Sequence, residues 1–170
     1  QAEGHSKKKT DKLWNEYVPK YLLPRLYGYE LLMAPYAIAH LKIGLKLYET
    51  GYCFGSEERV RVYLTNALEP ASLRADAKAA GLFEALGREA QAVNEIKRNQ
   101  RFTVVIGNPP YAGLSANMSE VSAALIERYK FIDGVHFGER KHWLHDDYVK
   151  FIRLGELAIN ATTTGILCFI

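Results

Sequence analysis

The sequence predicts an α/β fold, a mostly parallel sheet flanked by helices, and three observations lead there. Short apolar runs of strand length alternate along the chain with stretches of helical periodicity. One run, residues 102–106, is apolar apart from Thr103 and β-branched apart from Phe102, the composition of a strand buried on both faces of a parallel sheet. Pro24, the glycines between 51 and 55, and Gly107 punctuate the joints. In a doubly wound sheet ligands bind at the carboxyl ends of the strands, so the loops after Glu30, Thr65 and Gly107 are expected to gather on one edge.

The elements follow in order. Residues 1–10 are polar, with Lys7, Lys8 and Lys9 in a row, and read as a disordered or frayed basic end before one folded domain over 11–170. From 11 to 23, Leu13, Trp14, Tyr17, Val18, Tyr21 and Leu22 recur at helical spacing until Pro24 stops them. Residues 25–30 predict a strand, and 34–48 a helix with Pro35 in its first turn. After the break at 51–55, Val60, Val62 and Leu64 alternate with Arg61, Tyr63 and Thr65 as in a strand with one buried face. An alanine-rich helix is expected over 71–94 with a break near Gly81 or Gly87, then the 102–106 strand. Residues 113–117 read as a loop, 119–129 as a helix and 134–141 as a polar loop. Asp146 or Asp147 caps a helix reaching about residue 157, and residues 165–170 form a last apolar strand; ending on it suggests a boundary cut through a larger protein.

Composition narrows the class. With 48% hydrophobic and 24% charged residues the chain is an ordinary globular one, and 170 residues suit a single core. A net charge of +3 is too small to argue for or against a nucleic-acid partner. Cys53 and Cys168 are too few for a disulfide framework or a four-ligand zinc site and read as buried or half-buried thiols. His142 and His145 have helical metal-pair spacing but lack a third ligand, so no metal is expected. Nothing approaches the ~20 apolar residues that span a bilayer. A cytoplasmic protein with no membrane partner is the expectation.

The chemistry concentrates where the clearest strand ends, at Asn108, Pro109, Pro110 and Tyr111. An amino group conjugated to an aromatic ring is a poor nucleophile because its lone pair is delocalised. The Asn108 side-chain oxygen and the Pro109 carbonyl can accept its two hydrogens and favour the pyramidal nitrogen of the transition state. Pro109 and Pro110 stiffen the loop and remove competing donors. Tyr111 can stack on a base rotated out of a duplex. Amino groups of adenine, cytosine, guanine in RNA and a glutamine amide all pose this problem, so the motif alone leaves the substrate open.

Residues 104–111, Val-Val-Ile-Gly-Asn-Pro-Pro-Tyr, resemble the catalytic motif of amino-methyltransferases acting on DNA. Residues 25–41 (Arg-Leu-Tyr-Gly-Tyr-Glu-Leu-Leu-Met-Ala-Pro-Tyr-Ala-Ile-Ala-His-Leu), 62–69 (Val-Tyr-Leu-Thr-Asn-Ala-Leu-Glu) and 146–153 (Asp-Asp-Tyr-Val-Lys-Phe-Ile-Arg) resemble, in the same order, the methylase region of type ISP restriction-modification enzymes. In those enzymes helicase, nuclease and methylase share one chain. The resemblance implies a partial Rossmann-like, S-adenosylmethionine-dependent methyltransferase fold. It implies methyl transfer to N6 of an adenine flipped from double-stranded DNA, with helicase and nuclease domains as partners in the same parent chain. It also implies that Glu30 accepts hydrogen bonds from the cofactor ribose, that Leu31 packs on the cofactor adenine, and that Asn66, where relatives often carry Asp, with Ala67 beside it, meets the adenine edge.

No glycine-rich cofactor loop precedes Glu30, and by the family pattern the strand leading into that loop lies between the Glu30 and Asn108 strands. The target-recognition region that the family pattern places after residue 170 is likewise expected to be missing from these 170 residues. Residues 1–170 alone are therefore expected to bind cofactor weakly and to be inactive. The alternatives are an RNA or protein-glutamine amino-methyltransferase, or a scaffold that keeps the fold without the chemistry.

Overall fold

The computed structural model describes residues 2–55, 58–69, 82–111, 115, 117, 119–136, 138 and 142–170. They belong to two compact units, 1–67 and 68–170.

The first unit is a parallel βαβ arrangement preceded by a helix. Helix α1 (Ala2–Tyr17) begins well before the periodic pattern at residue 11, taking in the basic run that the sequence placed in a frayed end. A π-helical turn, Val18–Leu22, follows, because Pro19 has no N–H to give and the chain widens around it; a 3-10 turn, Leu23–Arg25, then carries it past Pro24. Strand β1 (Gly28–Glu30), helix α2 (Met33–Glu49) and strand β2 (Val62–Leu64) complete the unit, with Gly28, Tyr29 and Glu30 opposite Val62, Tyr63 and Leu64.

Helix α2 ends in a paired-hydrogen-bond cap. Tyr52 N–H reaches the Leu47 carbonyl at 3.0 Å and Gly51 N–H the Tyr48 carbonyl at 2.9 Å, which requires the positive φ of 87° at Gly51. Leu47 and Tyr52, brought together by that cap, join Val18, Leu23, Val60 and Val62 in the core. Each aliphatic member contributes about 1.5–3 kcal/mol by leaving water. Side-chain bonds tie α1 to the same turn: Trp14 Nε1 donates to Thr50 Oγ1 at 3.0 Å, and Asn15 donates to the Gly51 carbonyl and accepts from Cys53 N–H. The expected alternation in β2 is incomplete. Tyr63 is buried along with Val60 and Val62, because its ring lies under the Arg59 guanidinium, 5.3 Å from the ring centre.

In the second unit the alanine-rich stretch at 70–81 lies outside the described residues, and helix α3 (Leu82–Asn99) passes through Gly87 without the expected break. Strand β3 (Val104–Gly107) pairs in parallel with β6 (Ile166–Phe169), Val104 facing Ile166 and Gly107 facing Phe169. Between them come α4 (Glu120–Glu127), β4 (Phe131–Ile132), β5 (Val135–His136) and α5 (Asp147–Asn160). Ser119 caps α4 by accepting from Ser122 N–H, and Asp146 caps α5 by accepting from Tyr148 N–H at 2.9 Å.

Three expectations are corrected here. The β3 strand is not buried on both faces: Ile106 is 75% exposed and Ile166 63%, since α5 covers only the side bearing Val105 and Leu167. Nor is residue 134 the start of a plain loop. Asp133 and Gly134 both have positive φ, 51° and 79°, and turn β4 back onto β5 as an antiparallel hairpin; residues 137 and 139–141 lie outside the description. Cys53 and Cys168 are exposed rather than buried, Cys168 because it shares the uncovered face with Ile106. The described strands thus form two parallel pairs and one antiparallel hairpin. No described helix is long and apolar enough to cross a membrane.

Candidate functional site

In the first unit the parallel register puts the ends of β1 and β2 side by side. Thr65 N–H bonds the Glu30 carbonyl at 2.7 Å, so the chain leaving at Leu31 and the chain leaving at Asn66 depart from the same sheet edge. Glu30 is half-buried and its Oε1 accepts from Leu32 N–H at 2.9 Å, which fixes the carboxylate at the strand tip. Leu31 beside it is 62% exposed, an apolar side chain held in water next to an anchored acid. Asn66 and Ala67 are half-buried on the adjoining loop. Carboxylate, amide and apolar surface at one edge match the needs of an adenosine: diol acceptor, polar edge and flat apolar contact.

In the second unit β3 delivers Asn108, Pro109, Pro110 and Tyr111 directly from its last residue. Glycine at 107 suits a close approach, because a Cβ there would stand 3.0 Å from the Phe169 ring across the ladder and that ring would have to give by a few tenths of an ångström. Ile170 N–H bonds the Gly107 carbonyl at 3.2 Å, so the strand is held up to the residue before Asn108. Asn108 and Pro110 are exposed, whereas Pro109 is buried and anchors the turn. The Tyr111 ring is 67% exposed and stacks on Tyr148, with centres 4.9 Å apart and planes at 23°. Partial desolvation and the neighbouring Tyr148 push its hydroxyl above the ordinary tyrosine value.

The sequence did not anticipate what α5 does beside this loop. Asp147 and Lys150, 3% and 1% exposed, sit one helical turn apart and grip Ser115 and Asn117. Ser115 Oγ donates to Asp147 Oδ1 at 2.5 Å and Asn117 Nδ2 to Asp147 Oδ2 at 2.7 Å. The Lys150 ammonium donates to Ser115 Oγ, to the Asn117 carbonyl at 2.6 Å and to Asp147 Oδ1 at 3.4 Å, so all three of its protons have acceptors. Burial pushes the Asp147 carboxyl up, but the hydrogen bonds from Ser115, Asn117 and Lys150 and the Lys150 charge together outweigh it and leave it below its usual range. The signal in the sequence was Asp and Lys at i, i+3 in the first turn of a helix, which ordinarily marks a solvated pair.

The family model described as Eco57I restriction-modification methylase matches residues 25–170. The chain belongs to that family. No curated protein and no solved structure matches it. As a restriction-modification methylase of the Eco57I family, the protein is a methyltransferase with a partial α/β methyltransferase fold. The family match takes in β1 to β6 and all eight residues singled out above, leaving only α1 and the π-helical turn entirely ahead of it.

Proposed function

We propose that this Eco57I-family methylase transfers a methyl group from S-adenosylmethionine to the exocyclic N6 of an adenine turned out of double-stranded DNA. The observation that carries the reading is the exposed Asn108 on a loop with a buried Pro109, beside an exposed Tyr111 ring. Asn108 Oδ1 and the Pro109 carbonyl accept the two amino hydrogens, and the adenine ring lies on Tyr111. S-adenosylmethionine would supply an electrophilic methyl on sulfur: the N–C bond would form as the S–C bond breaks, the neutral thioether would leave with the S–C electron pair, and the amino nitrogen would lose its surplus proton to solvent water. On the first unit, Glu30 holds the ribose hydroxyls, Leu31 covers one face of the cofactor adenine, and Asn66 with Ala67 borders its edge. The anchoring of Glu30 by Leu32 N–H supports that assignment, because a fixed carboxylate loses little entropy on binding.

The test is product analysis. The full-length protein is incubated with duplex DNA, single-stranded RNA or a glutamine-bearing protein and labelled S-adenosylmethionine, and the products are digested and separated. Label in N6-methyladenine from DNA supports the reading; label in RNA or in glutamine instead overturns it.

A further inference from the structure

Every base-stacking ring has two faces, and in this protein one face of Tyr111 is already taken. Tyr148 lies against it at 4.9 Å between centres, while two thirds of the Tyr111 residue stays open to solvent. Tyr148 is itself held in place. Its backbone N–H is the donor to the Asp146 cap, and Asp147 beside it is locked by Ser115, Asn117 and Lys150. Ser115 and Asn117 lie just downstream of Tyr111 in the chain, so the first turn of α5 touches the catalytic segment at its aromatic end and again four to six residues later.

We propose that Tyr148 is a positioning residue of the methyl transfer: it backs Tyr111 so that the target base lands on the outer face of a ring already fixed, as the third layer of a stack, with the Asp147–Lys150 pair holding the segment beyond. An unbacked tyrosine next to two prolines would sample several rotamers and lose them on binding. Backed by a second ring, it meets the base preorganised. The inference rests on Tyr111 being the platform of the proposed reaction.

Removing Asp147 or Lys150 would strand a buried charge and unfold the region, so the test is placed on the rings. In the full-length protein, with S-adenosylmethionine and duplex DNA, Tyr148→Leu fills the space without a flat ring and is expected to lower kcat about tenfold. KM for S-adenosylmethionine and Tm should stay within twofold and a few degrees. Tyr148→Phe should recover kcat to within about threefold, because the ring and not the hydroxyl does the backing. The deciding measurement is the double variant: on a Tyr111→Ala background, Tyr148→Leu should cost nothing further. Two losses that multiply, or a Tyr148→Leu protein as fast as wild type, would overturn the proposal. If Tyr111→Ala alone keeps full kcat while Asn108→Ala does not, the base platform itself is wrong and this inference goes with it; if both single variants are impaired and the losses multiply, only the role of Tyr148 fails.

Discussion

An amino group whose lone pair is shared with an aromatic ring reacts only where acceptors wait for its hydrogens, and the proposed reaction assigns one of those places to Asn108. Asn108→Ala is therefore expected to lower kcat by about 10²–10³ with little change in S-adenosylmethionine binding, as for the loss of one preorganised partner of a developing charge. Steady-state kinetics with the full-length enzyme checks it, and a kcat within a factor of three of wild type would contradict the mechanism. Two glycines give opposite predictions at this scale. Gly44 lies in α2 with open space where a Cβ would go, so Gly44→Ala should stabilise the first unit by about 0.5–1 kcal/mol. A Cβ at Gly165 would stand 2.9 Å from the Thr103 carbonyl, the acceptor for Ile166 N–H, so Gly165→Ala should cost about 1–3 kcal/mol. Urea unfolding of the two variants reads both signs.

Among the elements, α5 does two jobs. One side packs on β6, where Gly155 leaves room for Leu167; its first turn holds Ser115 and Asn117, just beyond the Asn108–Tyr111 loop. The helix also carries a pH dependence. Because Asp147 is depressed in the folded state, its contribution is present above the unfolded value of about 4 and is lost as pH falls through the lower folded value. Glu156, which accepts from Tyr129 and pairs with Arg153 at 2.8 Å, is lowered too and adds in the same direction. The urea midpoint of the second unit should accordingly fall between pH 5 and pH 2. Glu156→Gln should flatten part of that slope, and a midpoint independent of pH over this range would refute the pairing. Tyr29 works at the other end. Burial and the neighbouring Tyr63 and Tyr27 raise it to about 12, so the stability it supplies is intact below about pH 10 and is lost as pH climbs through 12.

For the molecule as a whole, each unit leaves apolar surface in water. In the first, Leu31, Leu32, Met33, Leu41, Leu45 and Tyr48 are exposed; in the second, Val104, Ile106 and Ile166 form one uncovered sheet face and Phe131, Ile132 and Val135 line the hairpin. Contiguous apolar patches of this kind bind hydrophobic dyes and promote association. Residues 1–170 in isolation should therefore enhance the fluorescence of an anilinonaphthalene dye while still folded and should sediment with a concentration-dependent mass. A sharp monomer with no dye binding would show that these faces are covered in solution.

The sequence by itself determined what depends on neighbours along the chain. The α/β class, the strand leading into Asn108, the capping of α5 by one of Asp146 and Asp147 and the end of α2 ahead of Gly51 were all legible, because caps, turns and periodicity are set within a few residues. The methyltransferase family was legible from ordered motifs for the same reason. The Asp133-Gly134 hairpin was legible too, in the preference of Asp-Gly for the positive φ values of a tight turn, and reading the stretch for its polarity alone missed it. Tertiary structure alone decided which face of β3 stays uncovered and that Tyr148, Asp147 and Lys150 close on Tyr111, Ser115 and Asn117. Those outcomes join residues about 30 to 60 positions apart, and no local pattern encodes a contact whose two halves are specified by separate stretches of chain.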